Sequence, residues 1–349
     1  MNLRWDTILL VVFFLLFLSS GFECKHSTEP PLPPPGNDTT SHEFIWRFDT
    51  LGEGSSSLLR DVVILGDSLA YAVGELYFRD STGQWDWQPY NVARWDGSQW
   101  SLTRATYVPL RAVFAFGPND MWAGSSAPYH WDGTKWFGFN VNGIYTGYIN
   151  RFWGTSSQDI YLVATNGSMA HYDGVSWKAV ASGTTLDIGD IYGAMDYEKA
   201  ELQILAVAGN TFISNDRKIL SVRGNTVSPL SDGGISYALG SVWFIPNKHY
   251  YAVGDGVYEK GDLSEATWKN STSQITRYYT NEVRGNAAND VFVCGAYGEL
   301  LHFNGRSWRS YRSQTGLVNG QYYAVATRGN LVIAVGEDPP RAVVAIGRR

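Results

Sequence analysis

One seven-residue pattern is written four times along the chain: Arg94-Trp95-Asp96-Gly97-Ser98-Gln99-Trp100, His130-Trp131-Asp132-Gly133-Thr134-Lys135-Trp136, His171-Tyr172-Asp173-Gly174-Val175-Ser176-Trp177 and His302-Phe303-Asn304-Gly305-Arg306-Ser307-Trp308. Each copy has an aromatic residue, Asp or Asn, Gly, two variable residues and Trp. Asp-Gly or Asn-Gly between β-rich runs is a strong hairpin signal, because both residues accept the positive φ of a type I′ turn. The spacing therefore predicts four hairpins, each with its Trp on the returning strand. Ahead of each hairpin lies a second strand, over 69–74, 120–124, 159–164 and 290–295, and ahead of that a third, over 61–65, 111–116, 150–153 and 282–284.

The tryptophans give the period. Trp100, Trp136, Trp177, Trp268 and Trp308 are separated by 36, 41, 91 and 40 residues, and the long gap holds a worn copy. In that copy, 202–209 reads as the second strand and 212–222 as a hairpin lacking its Trp. Four-stranded units of about 40–50 residues are the blades of a β-propeller. After Trp308 the chain offers three more strands, 322–327, 331–336 and 341–346, and Phe44-Ile45-Trp46-Arg47-Phe48 supplies the missing fourth. Closing the ring with strands from both termini removes exposed edges. The expectation is an all-β, seven-bladed β-propeller over residues 42–349, its last blade closed by the N-terminal strand. Six or eight blades are the alternatives, because the fourth is degenerate.

On these motifs the chain resembles bacterial exported propellers of the kelch-like or Asp-box-like type, including uncharacterised propeller lipoproteins, and is related in style to photosystem-assembly-factor propellers. The resemblance covers 42–349. True Asp-boxes hold one residue between Asp and Gly, whereas the two are adjacent here.

The first 21 residues read as a signal peptide: Arg4 is the positive end, 8–18 an unbroken apolar run, and Ser19-Ser20-Gly21 a small-residue cleavage region. Eleven apolar residues are short of the roughly 20 a spanning helix needs. Cys24 stands where a bacterial lipoprotein carries its lipidated cysteine, although Glu23 occupies the position usually held by a small residue. The two readings are a lipid-anchored protein of the bacterial cell envelope and a secreted one, with membrane contact through a lipid anchor at most. Residues 22–41 form a proline-rich tether, with five prolines between Pro30 and Pro35 that favour extended polyproline II structure. A Cys24–Cys294 disulfide would join this tether to a core strand.

Charge excludes one class of partner. A formal charge of −6 lacks the basic footprint that neutralises phosphates, so nucleic acid is not expected. No phosphate loop, metal-ligand spacing or nucleophile elbow is present, and the expectation is no cofactor, no metal and no identifiable catalytic residue. His130, His171 and His302 share one repeat position, so blade geometry sets them apart rather than around a metal.

Two groups of residues stand out as candidate ligand sites. Blade one carries an insertion, 75–90, whose Trp85, Trp87 and Tyr90 with Asp86 suit stacking on a sugar ring, or pack on the blade itself. The starts of the inner strands place Arg60, Arg111, Arg151, Asp190, Glu282 and Arg284 around the central channel, where arginines suit carboxylate or phosphate groups, or neutralise neighbouring acids. The expected function is a non-catalytic binding or scaffolding module for a carbohydrate or protein ligand. The alternative is a carbohydrate-active enzyme, of glycosidase or glycosyl-transfer type, with two carboxylates at the channel mouth.

Overall fold

Seven four-stranded antiparallel sheets are strung along the chain, six of them simple meanders of consecutive strands. The computed structural model describes residues 39–349 apart from 54–55 and 211–215. The leader, Cys24 and the tether up to residue 38 lie outside the described residues. Cys294 is buried on blade six. The innermost strands neighbour one another in chain order and the seventh meets the first, which closes a seven-bladed propeller. In the last blade Ile45–Leu51 pairs antiparallel with Arg341–Arg348, from Ile45 opposite Arg348 to Leu51 opposite Ala342, and so completes the sheet begun by the C-terminal strands. The chain passes from blade to blade at one end of the ring, the crossover end. The repeated Asp-Gly hairpins lie at the opposite end.

Those hairpins differ from the expected type I′ turn. Trp95 pairs with Trp100, Trp131 with Trp136, Tyr172 with Trp177 and Phe303 with Trp308, and inside each pair a backbone bond such as Asp96 N–H to Gln99 O at 3.2 Å leaves Gly97-Ser98, not Asp96-Gly97, as the central residues of the turn. The side chain of the residue before the glycine explains the shift. Asp96 Oδ1 accepts the N–H groups of Ser98 at 2.9 Å and Gln99 at 2.9 Å, and Asp132, Asp173 and Asn304 do the same in their loops. Only the glycine takes positive φ, 99° at Gly97. These donors stabilise the carboxylates, and Asp96 and Asp132 are lowered to about 2, with the hydrogen bonds from Gln99 and Thr134 the leading causes.

Blade four departs in another way. Its outer hairpin joins Arg217–Arg223 to Thr226–Leu230, so its turn and returning strand lie C-terminal to the 212–222 span expected from sequence. Here Gly224 precedes Asn225 and alone carries the left-handed φ of 53°.

Each repeated histidine is a packing device of its own blade. His130, His171 and His302 bond Asp120, Asp159 and Asp290 on the adjacent strand at 2.8, 2.6 and 2.8 Å, and stack on Trp122, Tyr161 and Phe292. In blade two the chain of bonds continues to the next blade: Ser157 donates to Asp120 and accepts from Trp122 Nε1 at 3.2 Å. Among the described residues no three His, Cys, Asp or Glu groups lie close enough to hold a metal ion.

Candidate functional site at the crossover end

The innermost strand of each blade faces the central channel, where its outward N–H groups have no neighbouring strand. In six blades this strand carries a register shift at one common place, next to Arg60, Asn150, Gly189, Gly240, Asn281 or Tyr323. Arg111 holds the equivalent place in blade two, its N–H bonded to Gly124 at 2.7 Å. A bulge frees one residue from the ladder and re-aims it. These seven residues therefore form a ring at the mouth of the channel, at the crossover end.

The residue after each bulge forms a second ring, one step deeper. There Asp61 accepts the N–H of Val113 at 2.9 Å, Asp190 that of Val242 at 3.1 Å, Ser241 that of Val283 at 3.2 Å and Glu282 that of Val325 at 2.6 Å. Each bond satisfies an orphan donor on the following blade. Two arginines then bridge the carboxylates across the axis. Arg151 of blade three meets Asp61 at 2.5 Å, Asp190 at 3.3 Å and also Glu282. Arg284 of blade six binds Asp190 through both nitrogens, at 2.9 and 3.0 Å, and Glu282 at 2.9 Å.

Three carboxylates and two guanidiniums thus make a brace between blades one, three, four and six. Burial pushes Glu282 up to about 7, with Arg151 and Arg284 pulling down and Asp61 and Asp190 adding repulsion. At Asp190 burial is outweighed by Arg284 and Arg151, so its carboxyl lies below the usual range. Beyond the brace the channel opens into a cavity of about 110 Å³ lined by Val62, Phe152, Trp153, Tyr192 and Val325 among others.

Four of the six channel residues singled out from sequence, Arg151, Asp190, Glu282 and Arg284, are therefore assembled into one cluster and engaged with each other. Arg60 and Arg111 stand above it. Arg60 is 3.7 Å from Glu75 and lies over the ring of Tyr323, 5.7 Å from its centroid. Arg111 lies over Tyr148 at 5.3 Å and reaches Asn150 Oδ1 at 3.5 Å. Burial, followed by repulsion from Arg60, lowers Arg111 from its ordinary value. Glu75, Tyr148 and Tyr323 carry no motif and were not singled out from sequence; Tyr323 holds the bulge position of blade seven, Tyr148 precedes that of blade three by two residues, and Glu75 faces blade one's inner strand from the second strand.

The blade-one insertion rises at the same end. An antiparallel bridge joins Arg79 to Trp85, and Asp80 Oδ1 closes the turn by accepting from Thr82 at 2.8 Å and Gln84 at 3.0 Å. Arg79 covers Trp85, and Arg104 both binds Asp86 and covers Tyr90. Trp87 is left 78% exposed. The insertion thus packs part of its aromatic set on itself and presents the remainder.

Exposed apolar side chains are unevenly divided between the two ends. Trp85, Trp87, Tyr107, Val108, Tyr148, Tyr237, Tyr297 and Val318 all lie in connections at the crossover end, whereas among the described residues the connections at the opposite end have Val175 and Tyr197, and Ile45, Phe48 and Phe137 are exposed on outermost strands.

No family model and no curated protein matches the chain. Solved structures do. YCF48 bound to D1 peptide superposes with a TM-score of 0.65 at 13% identity, covering 91% of this chain and 100% of that one. YCF48 from Cyanidioschyzon merolae gives 0.60 at 16% identity, with 86% and 98% covered. The WD40 β-propeller domain of Doa1 gives 0.60 at 13% identity, with 87% and 97% covered. The fold is a WD40- and YCF48-like seven-bladed β-propeller. At these identities the likeness concerns the fold.

Proposed function

We propose that the chain is a non-catalytic binding platform that holds a polypeptide ligand on its crossover end. The observation that carries this is the concentration of exposed aromatic and aliphatic side chains on that end, with Arg60 and Arg111 at its centre. Aromatic residues and arginine are the side chains that anchor protein interfaces, because they bring large contact area at small entropic cost. Propellers of the same fold engage polypeptides, as the complex of YCF48 with a D1 peptide records. The channel carboxylates support a structural role: Asp61, Asp190 and Glu282 each accept a backbone N–H and an arginine.

The apolar run at 8–18 and the proline-rich segment that follows support an exported platform held off a membrane by its tether. Selection of random peptides on the immobilised full chain tests the reading. Binders of micromolar affinity are expected, weakened at least tenfold by Trp87→Ser/Tyr107→Ser and unchanged by Val175→Ser/Tyr197→Ser at the other end. Peptides that respond only to the second pair contradict it.

A second reading rests on Trp87, whose open indole face suits the C–H face of a sugar. A glycan array comparing the wild type with Trp85→Ala/Trp87→Ala decides it: glycan binding lost in the variant supports a carbohydrate platform, and absence of binding removes it.

A further inference from the structure

We infer, resting on the polypeptide reading above, that the channel mouth is a seat for the C-terminal carboxylate of the bound chain, with Arg111 as its principal ligand. Three observations carry this.

The first is an imbalance of charge. Arg151 and Arg284 have three carboxylates between them, and Arg60 faces Glu75. Arg111 is half-buried and has no carboxylate within 4 Å among the described residues. Its Nε is buried without a hydrogen-bond partner, and its one contact to an oxygen is the 3.5 Å approach to Asn150. A partly desolvated guanidinium needs an anion or acceptor, and a carboxylate fits its planar fork. Glu75 and Asp187 act on Arg111 only from beyond ion-pair distance, so its fork keeps room for a singly charged carboxylate and is less suited to a phosphate dianion.

The second is room. The ring positions across the mouth from blades one and two are Gly189 and Gly240, which present no side chain. Asn150 and Asn281, at the same level, bond backwards to the carbonyls of Ile188 and Tyr322 at 2.9 and 2.7 Å and so lie against the wall. At this level blades four and five contribute backbone only, Gly189 packing closely on Gly240, while blades one, two and seven contribute Arg60 with Glu75, Arg111 with the ring of Tyr148, and Tyr323 with Glu337.

The third is the floor. The brace of Arg151, Arg284 and their carboxylates spans the axis directly beneath the ring. A chain that enters this mouth end-on must stop there, and what it presents to Arg111 is its terminus.

The test uses random decapeptides prepared as free acids and as C-terminal amides, each pool with and without Asp and Glu. They are selected on the full chain, and individual binders are measured by fluorescence anisotropy. Binders are expected from the free-acid pools, with amidation weakening each at least tenfold. Arg111→Met should cost the same factor, with its thermal midpoint within about 2 °C of the wild type, and amidation should then have no further effect. The amide comparison stands on the wild type alone, so it decides the matter even if the variant does not fold. Amides that bind within twofold of their acids overturn the inference, as does equal binding by amidated peptides carrying internal Asp or Glu. Displacement by submillimolar inorganic phosphate also overturns it. Peptides that bind regardless of their terminus, yet are lost in Trp87→Ser/Tyr107→Ser, would leave the polypeptide platform standing without this seat. Failure of every pool removes both.

Discussion

Replacing Arg284 by methionine tests whether the buried charge cluster holds the ring together. The guanidinium contributes two bonds to Asp190, at 2.9 and 3.0 Å, and one to Glu282 at 2.9 Å. Methionine leaves Asp190, which is fully buried, without its bidentate partner. Removing one member of a buried pair typically costs about 3–5 kcal/mol. Asp190 keeps donors from Ser241, Val242 and Ile191, which places the expected loss near the lower limit, about 3 kcal/mol. For a domain of this size that is a fall in Tm of roughly 6 °C. Urea unfolding followed by tryptophan fluorescence, with a thermal scan alongside, measures it. The double variant Arg284→Met/Asp190→Asn removes the stranded charge together with its partner, so it should be more stable than Arg284→Met alone. A single-variant shift below about 2 °C, or a double variant less stable than the single, would refute the reasoning.

Other consequences are open to measurement. Because burial lifts Glu282 to about 7, above its unfolded-state carboxylate value, its contribution is fully present below about pH 4.5 and is lost as pH rises through 7; Glu282→Gln should abolish a stability difference of roughly 3 kcal/mol between pH 4.5 and 7.5, read from urea midpoints, and an unchanged slope would count against it. Gly97 has φ 99° and a Cβ there would lie 2.8 Å from Ser68 Cβ, so Gly97→Val should cost about 2 kcal/mol, whereas Gly66→Ala, with open space, should change the urea midpoint little. Deleting residues 1–51 uncovers the edge of Arg341–Arg348, and light scattering should show self-association; a stable monomer would mean the closing strand is dispensable.

The blades were legible because each is written locally. A motif such as Trp95-Asp96-Gly97 encodes its own hairpin, and only the placing of the turn escaped, since the Asp side chain accepts from Ser98 and Gln99 and so centres the turn one residue later. Blade four was misplaced because its turn reverses the order to Gly224-Asn225. The channel residues were legible as polar groups at strand starts, but not their pairing: Arg151 is 90 residues from Asp61 and 131 from Glu282, and nothing local to an arginine names so distant a partner. The same distance problem hid the difference between the engaged arginines and Arg111. Tyr148 and Tyr323 were two among 21 tyrosines, and their importance lies in standing under Arg111 and Arg60.

The central claim is that the crossover end is where this propeller holds a polypeptide. A crystal structure of the full chain with the tightest peptide recovered from selection tests it most directly. The account predicts the peptide lying over Tyr107, Tyr148 and Trp87, with its terminal carboxylate within hydrogen-bonding distance of Arg111. A peptide seated at the Asp-Gly hairpin end, or along an outer strand, would contradict it.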